Sequence, residues 1–126
     1  MHILICGAGM MAQAIAYDLL HHAKTHSVTI IDIDNNVLRQ AQSFLKSNTI
    51  NGHEGDVQNI DQIRSYFEIA DIVISAIPYK FNFTLAELAI NTHSHFIDLG
   101  GNNDIVAQEK TLHEKAKKSR CYRHSR

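Results

Sequence analysis

Two periods of apolar residues interleave along the chain. Short, mostly apolar runs stand at Ile3–Cys6, Val28–Ile31 and Ile72–Ala76, each too short for a helix and each followed by small, acidic or turn-forming residues. Between them, apolar residues fall at helical spacing. Ala12, Ile15, Ala16, Leu19 and Leu20 form one stripe, and Val37, Leu38, Ala41, Phe44 and Leu45 form a second, with Asp34 placed to cap it. A third, short stripe of Ile60, Ile63 and Phe67 follows Asn59, an N-cap type with Gln62 three positions on. Leu85, Leu88 and Ala89 mark a fourth helix, and Asp104–Lys118 reads as a last one. A weak third strand is expected near Asn48–Glu54 and a fifth at His95–Asp98.

Strand and helix therefore alternate throughout. The first and fourth strands are nearly all apolar, as parallel strands covered on both faces are. Right-handed crossovers turn such a chain into an α/β doubly wound parallel sheet of Rossmann type, with expected strand order 3-2-1-4-5. Ligands of this architecture bind at the carboxyl ends of the strands, near the switch between strands one and four. Five such ends carry suggestive residues: Gly7–Ala12, Asp32, Asp56, Ser75–Pro78 and Asp98–Asn103.

The first of these is the most specific. Gly7-Ala8-Gly9-Met10-Met11-Ala12 reads as G-x-G-x-x-A between a strand and a helix, the dinucleotide-binding fingerprint. Gly7 allows the tight turn, Gly9 lets a pyrophosphate approach the backbone, and Ala12 lets the helix lie against the sheet. The helix start, at Met10 and Met11, offers N–H groups to the phosphates. Met11 is expected to pack inward or to line the ligand. Asp32 lies 20 positions after Ala12, where a carboxylate meets ribose hydroxyls and repels a 2′-phosphate. With Ile33 rather than Arg beside it, the expected cofactor is NAD, with NADP the weaker ligand.

Composition narrows the class. The chain has 126 residues, enough for one domain with a real core. It has no apolar run of the ~18 residues that a membrane span needs. No basic segment precedes its first apolar run, so no secretory signal is expected; two cysteines, Cys6 and Cys121, make no disulfide framework, and the cytoplasm is the expected location. Residues 1–109 hold five basic and twelve acidic residues, and residues 110–126 seven basic and one acidic. The basic end reads as a solvated face and tail, without the aromatic context of a nucleic-acid surface. Nine histidines include the pairs His22/His26 and His93/His95, but no accompanying ligand set marks a metal site. No nucleophile elbow is present, and no catalytic residue is assigned.

Two later segments are more selective: Ser75-Ala76-Ile77-Pro78-Tyr79-Lys80-Phe81-Asn82 and Phe96-Ile97-Asp98-Leu99-Gly100-Gly101-Asn102-Asn103. With the glycine turn, they make residues 2–119 resemble the N-terminal domain of the saccharopine dehydrogenase and lysine 6-dehydrogenase family. The resemblance implies an NAD- or NADP-dependent oxidoreductase acting on amino-acid amines. It places Ser75, Ala76, Ile77 and Pro78 along the nicotinamide-side phosphate and ribose, and Asp98 and Gly100 near the nicotinamide. Asp56 is an expected ligand contact at the end of the third strand. Family members continue into a sixth strand and a substrate domain, whereas residues 120–126 here read as a short non-family basic tail. The chain is thus expected to bind cofactor, to turn over an amino-acid substrate only if a second domain is supplied, and to expose strand five as a sheet edge open to a second copy. Two other readings stay open: a nucleotide-sensing regulatory domain like those of potassium transport systems, with which Ile31-Asp32-Ile33-Asp34 is compatible, and a truncated relic without function.

Overall fold

A computed structural model describes residues 1–22, 27–46 and 50–99. Five strands are separated by helices: β1 (His2–Cys6), α1 (Met10–His22), β2 (Ser27–Asp32), α2 (Asn35–Leu45), β3 (Ile50–Glu54), α3 (Ile60–Ile69), β4 (Ile72–Ser75), α4 (Asn82–Asn91) and β5 (His95–Asp98), with a single 3-10 turn at Tyr79–Phe81 before α4. All strand pairs are parallel and the sheet order is β3-β2-β1-β4-β5, as the alternating pattern predicts. The expected final helix, together with Gly100–Asn103 and the tail, lies outside the described residues. No helix among the described residues is long and apolar enough to cross a membrane.

The unbroken apolar run of β1 has a simple cause. Successive side chains of a strand point to opposite faces, and both faces are covered. Ile3 and Ile5 join Val28, Ile30 and Ile74 beneath α1 and α2, which contribute Ala12, Ala16, Leu38 and Ala41. Leu4 and Cys6 join Ile31 and Val73 on the other face beneath α3 and α4, which contribute Ile63, Phe67, Leu85 and Leu88. β3, at one edge, is mostly exposed, so its sequence carries little apolar signal. Phe44 departs from the expected stripe: it is 54% exposed and packs its ring beside Tyr17 of α1 at 5.9 Å.

Two polar clusters fasten the amino-terminal end of the sheet and the α3–β5 junction. The buried Ser94 hydroxyl reaches the carbonyls of Phe67 and Ala70, both at 2.9 Å, so one side chain closes the end of α3 onto the approach to β5. His2 lies between two hydroxyls, with Nδ1 2.6 Å from Ser27 Oγ and Nε2 2.9 Å from Thr29 Oγ1, while its backbone N–H donates to Asp71 at 2.8 Å. Burial holds the imidazole below its ordinary pKa of 6.5; Asp71 opposes this and the N-terminal amine adds to it.

Two outcomes are expected. Ser94→Ala removes the one hydroxyl proton that the Phe67 and Ala70 carbonyls share, the Phe67 carbonyl keeping the Ala70 N–H, and lowers stability by about 1–3 kcal/mol in urea titration. For His2, the unfolded chain takes up the proton first as pH falls below 6.5. The stability this residue contributes is therefore whole above that value and erodes as pH falls toward the lower folded pKa. The unfolding midpoint should drop further between pH 7.5 and pH 5.5 in the unaltered chain than in His2→Gln.

Candidate functional site

The site begins where β1 ends. Gly7 has φ +106°, a backbone region that suits glycine, and its N–H donates to Ile31 O at 2.7 Å. A Cβ there would stand 2.8 Å from the Ala76 carbonyl oxygen and 3.0 Å from Ile77 Cγ2. The turn after β4 is equally fixed, since Ala76 N–H donates to Cys6 O at 2.8 Å. Gly9 differs in kind: a Cβ there would meet nothing within 4 Å, so open space lies over the backbone just before α1. The first N–H groups of a helix have no intrahelical acceptor and carry the positive end of its dipole. Ala12 is buried and seats α1 on the sheet, whereas Met10 and Met11 are 88% and 61% exposed.

Asp32, the last residue of β2, holds the turn from the side. Its Oδ2 accepts from Ala8 N–H at 2.9 Å and its Oδ1 from Asp34 N–H at 2.8 Å. A carboxylate has about four lone-pair positions, so about two remain for further donors. One strand further out, Asp56 is held by its own turn: its N–H donates to Gln62 Oε1 at 3.0 Å and its Oδ1 accepts from Gln58 N–H at 2.9 Å. Asn59 caps α3 as expected, with its side chain accepting from Gln62 N–H at 3.3 Å.

These ends enclose a cavity of about 300 Å³, at the lower limit for small-molecule pockets. Gly7 forms its floor, Ile31–Ile33 and Gly55–Gln58 one wall, and Ile77, Pro78 and Phe81 the other. Five expected site residues thus come together there: Gly7, Asp32, Asp56, Ile77 and Pro78. Gly9, Met10, Met11 and Ala12 lie along the turn and helix start rather than in this cavity. Ser75 is buried and donates its hydroxyl to Asn82, Ala76 presents backbone only at the contact with Gly7, and Asp98 is half-buried opposite Ser75 in the register. Gly100 lies outside the described residues. Val57, Gln58 and Phe81 were not foreseen as lining residues; they belong to turns, where no periodic signal marks a wall. Lys80 is exposed, with Nζ 5.1 Å from the Phe81 ring centroid. No group of three or more metal-ligating side chains occurs among the described residues. Burial pushes the Cys6 thiol up to about 12, so it stays protonated and is no nucleophile.

Residues 3–122 match the sequence family described as "Saccharopine dehydrogenase NADP binding domain". Among solved structures, the apo saccharopine dehydrogenase (L-Glu forming) of Saccharomyces cerevisiae superposes with a TM-score of 0.70 at 24% identity, over 85% of this chain and 23% of that one. The WlbA dehydrogenase of Chromobacterium violaceum, in complex with NADH and UDP-GlcNAcA, gives 0.71 at 21% identity, over 93% and 33%. A short-chain dehydrogenase/reductase of Veillonella parvula, in complex with NADP, gives 0.63 at 17% identity, over 77% and 46%. At these identities the superpositions establish the shared fold. The chain spans about a quarter to a half of the length of these enzymes.

The two turn glycines should respond differently to alanine. Gly7→Ala meets both an unfavourable φ and the Ala76 carbonyl, and is expected to lose about 2–4 kcal/mol. Gly9→Ala has room, and its unfolding free energy from urea titration should stay within about 0.5 kcal/mol of the unaltered chain's.

Proposed function

The chain belongs to the saccharopine dehydrogenase NADP-binding-domain family, and from that premise we propose that this dinucleotide-binding domain takes NAD in preference to NADP and serves as the cofactor half of an amino-acid oxidoreductase. The Asp32 carboxylate carries the preference. Two backbone N–H groups fix its plane at the rim of the cavity, and its remaining lone pairs suit the two hydroxyls of an adenosine ribose. A 2′-phosphate would bring further negative charge to the same place. Two unit charges 4 Å apart repel by about 1 kcal/mol in water and about 4 kcal/mol near a protein surface. Ile33, exposed and lining the cavity beside Asp32, supplies no cation to offset that repulsion. The family description names NADP; the local chemistry at Asp32 favours the cofactor without the phosphate.

The residues present fit such a ligand. Open space over Gly9 admits a pyrophosphate to the backbone at the start of α1. Ile33, Val57 and Phe81 offer apolar surface to a base, and Asp56 a carboxylate at its edge. When bound, the dinucleotide supplies hydride transfer. The chain positions it, through Gly7, Asp32 and the Ile77–Pro78 wall, and shields one side of it from water. An amino-acid amine is the proposed substrate class, and the groups that would recognise it belong to the remainder of a larger enzyme.

Calorimetric titration of the chain should show NADH binding at least about fivefold tighter than NADPH, equivalent to the lower repulsion above. Ile33→Arg should narrow that gap by gaining NADPH affinity. Equal affinities in the unaltered chain would overturn the role given to Asp32.

A further inference from the structure

Methionine is scarce in this chain, and its placement is unusual. There are three, at positions 1, 10 and 11. The residue commonly serves a core, where its flexible thioether fills irregular gaps, yet neither buried cluster contains one. Met10 and Met11 instead stand side by side on the first turn of α1, 88% and 61% exposed, although Ala12 and Ala16 of the same helix are buried. Packing against the sheet therefore does not account for the pair.

Their position says what they can act on. A helical Cα–Cβ bond tilts toward the helix N-terminus, so both side chains start out in the direction of the glycine turn. The backbone there is bare: Ala8 is buried, and a Cβ on Gly9 would meet nothing within 4 Å. The N–H groups of the first helical turn have no intrahelical acceptor and carry the positive end of the dipole. The two thioethers thus border the place where the dinucleotide reading puts a pyrophosphate.

A thioether in water is open to two-electron oxidation. Its sulfur lone pair attacks one oxygen of hydrogen peroxide; an S–O bond forms, the O–O bond breaks, and the departing hydroxide takes the remaining proton and leaves as water. Sulfur is oxidised by two electrons and the peroxide is reduced by two. The sulfoxide oxygen is polar and accepts hydrogen bonds, and it stands where glutamine carries its side-chain oxygen. An apolar neighbour of the first-turn N–H groups thereby becomes a competitor for them, and sets a partly negative oxygen before an incoming phosphate.

We propose that Met10 and Met11 form a peroxide-responsive modification site: oxidation to the sulfoxide lowers the affinity of the domain for its dinucleotide, and bound dinucleotide covers the two sulfurs. The proposal rests on the dinucleotide reading above.

The full 126-residue chain is treated with hydrogen peroxide, freed of it and titrated with NAD. Affinity should fall by about fivefold, the worth of one neutral hydrogen bond. Peptide mass spectrometry should place the added oxygen on Met10 and Met11, and the thermal transition should stay cooperative. Methionine sulfoxide reductases should restore the affinity. Saturating NAD should slow oxidation of Met10 and Met11 but not of Met1, which precedes β1 at the other end of the sheet and serves as an internal reference. A double variant, Met10→Leu with Met11→Leu, keeps both cysteines and has no sulfur at the turn. Whatever its own affinity for NAD, peroxide should leave that affinity as it was; a loss that persists in this variant has another source and would overturn the proposal. Unchanged NAD affinity in the oxidised, folded chain, or oxidation of Met10 and Met11 at the same rate with and without NAD, would overturn it too. Failure of the untreated chain to bind NAD would instead overturn the dinucleotide reading, and this role with it.

Discussion

The backbone of β1 leaves the sheet through a gap with no room for a side chain, and much else follows from that. Gly7 lies against the carbonyl of Ala76 while its own N–H reaches Ile31 across the neighbouring strand. The central strand is thereby tied to β2 on one side and to the turn after β4 on the other at the point where the crossovers diverge. A split between two oppositely directed crossovers is what opens a crevice above a doubly wound sheet. Here the two walls of that crevice are held at a spacing set by one van der Waals contact and two backbone hydrogen bonds. The geometry of the cavity is a property of the main chain first and of its side chains second.

Asp32 adds a polar link of the same kind. About half of its carboxylate's accepting capacity is spent on the protein, and the proposed role assigns the other half to the ligand. Replacing it therefore changes two things together: the charge that a ligand meets and the hook that holds Ala8. Under the proposed reading, ligand preference and turn geometry would share one side chain, whereas at Ile33, for which no such side-chain bond exists, they would be separable.

Much of this was legible in the sequence because it follows from covalent and periodic constraints. A strand buried on both faces must be apolar throughout, so β1, most of β2 and β4 announce themselves. A positive φ selects glycine, so the turn does too. Edge strand β3 is faint because it is largely solvated, and Phe44 misled because it faces Tyr17 of α1 and solvent, while its neighbour Leu45 turns into the core. What could not be read were hydrogen bonds between segments far apart in the chain. Asp32 was visible as an acid at the end of a strand, but its grip on Ala8 has no periodic signature. A serine following an apolar run could point inward or outward; only the presence of Asn82 against it decides.

The register of β1 also has a consequence in time. Its partner on one side, β2, lies about one helix away, but on the other side Ile3 pairs with Ile72, and the backbone of His2 bonds to Asp71 across 69 positions of sequence. A ribosome adding about 5–20 residues each second delivers the second partner roughly 4–14 s after the first strand has emerged. During that interval the most apolar strand of the fold has one open edge, the kind of surface that recruits other chains. Synthesis of this domain therefore passes through a window in which its own central strand must be shielded, and that window closes only when β4 arrives.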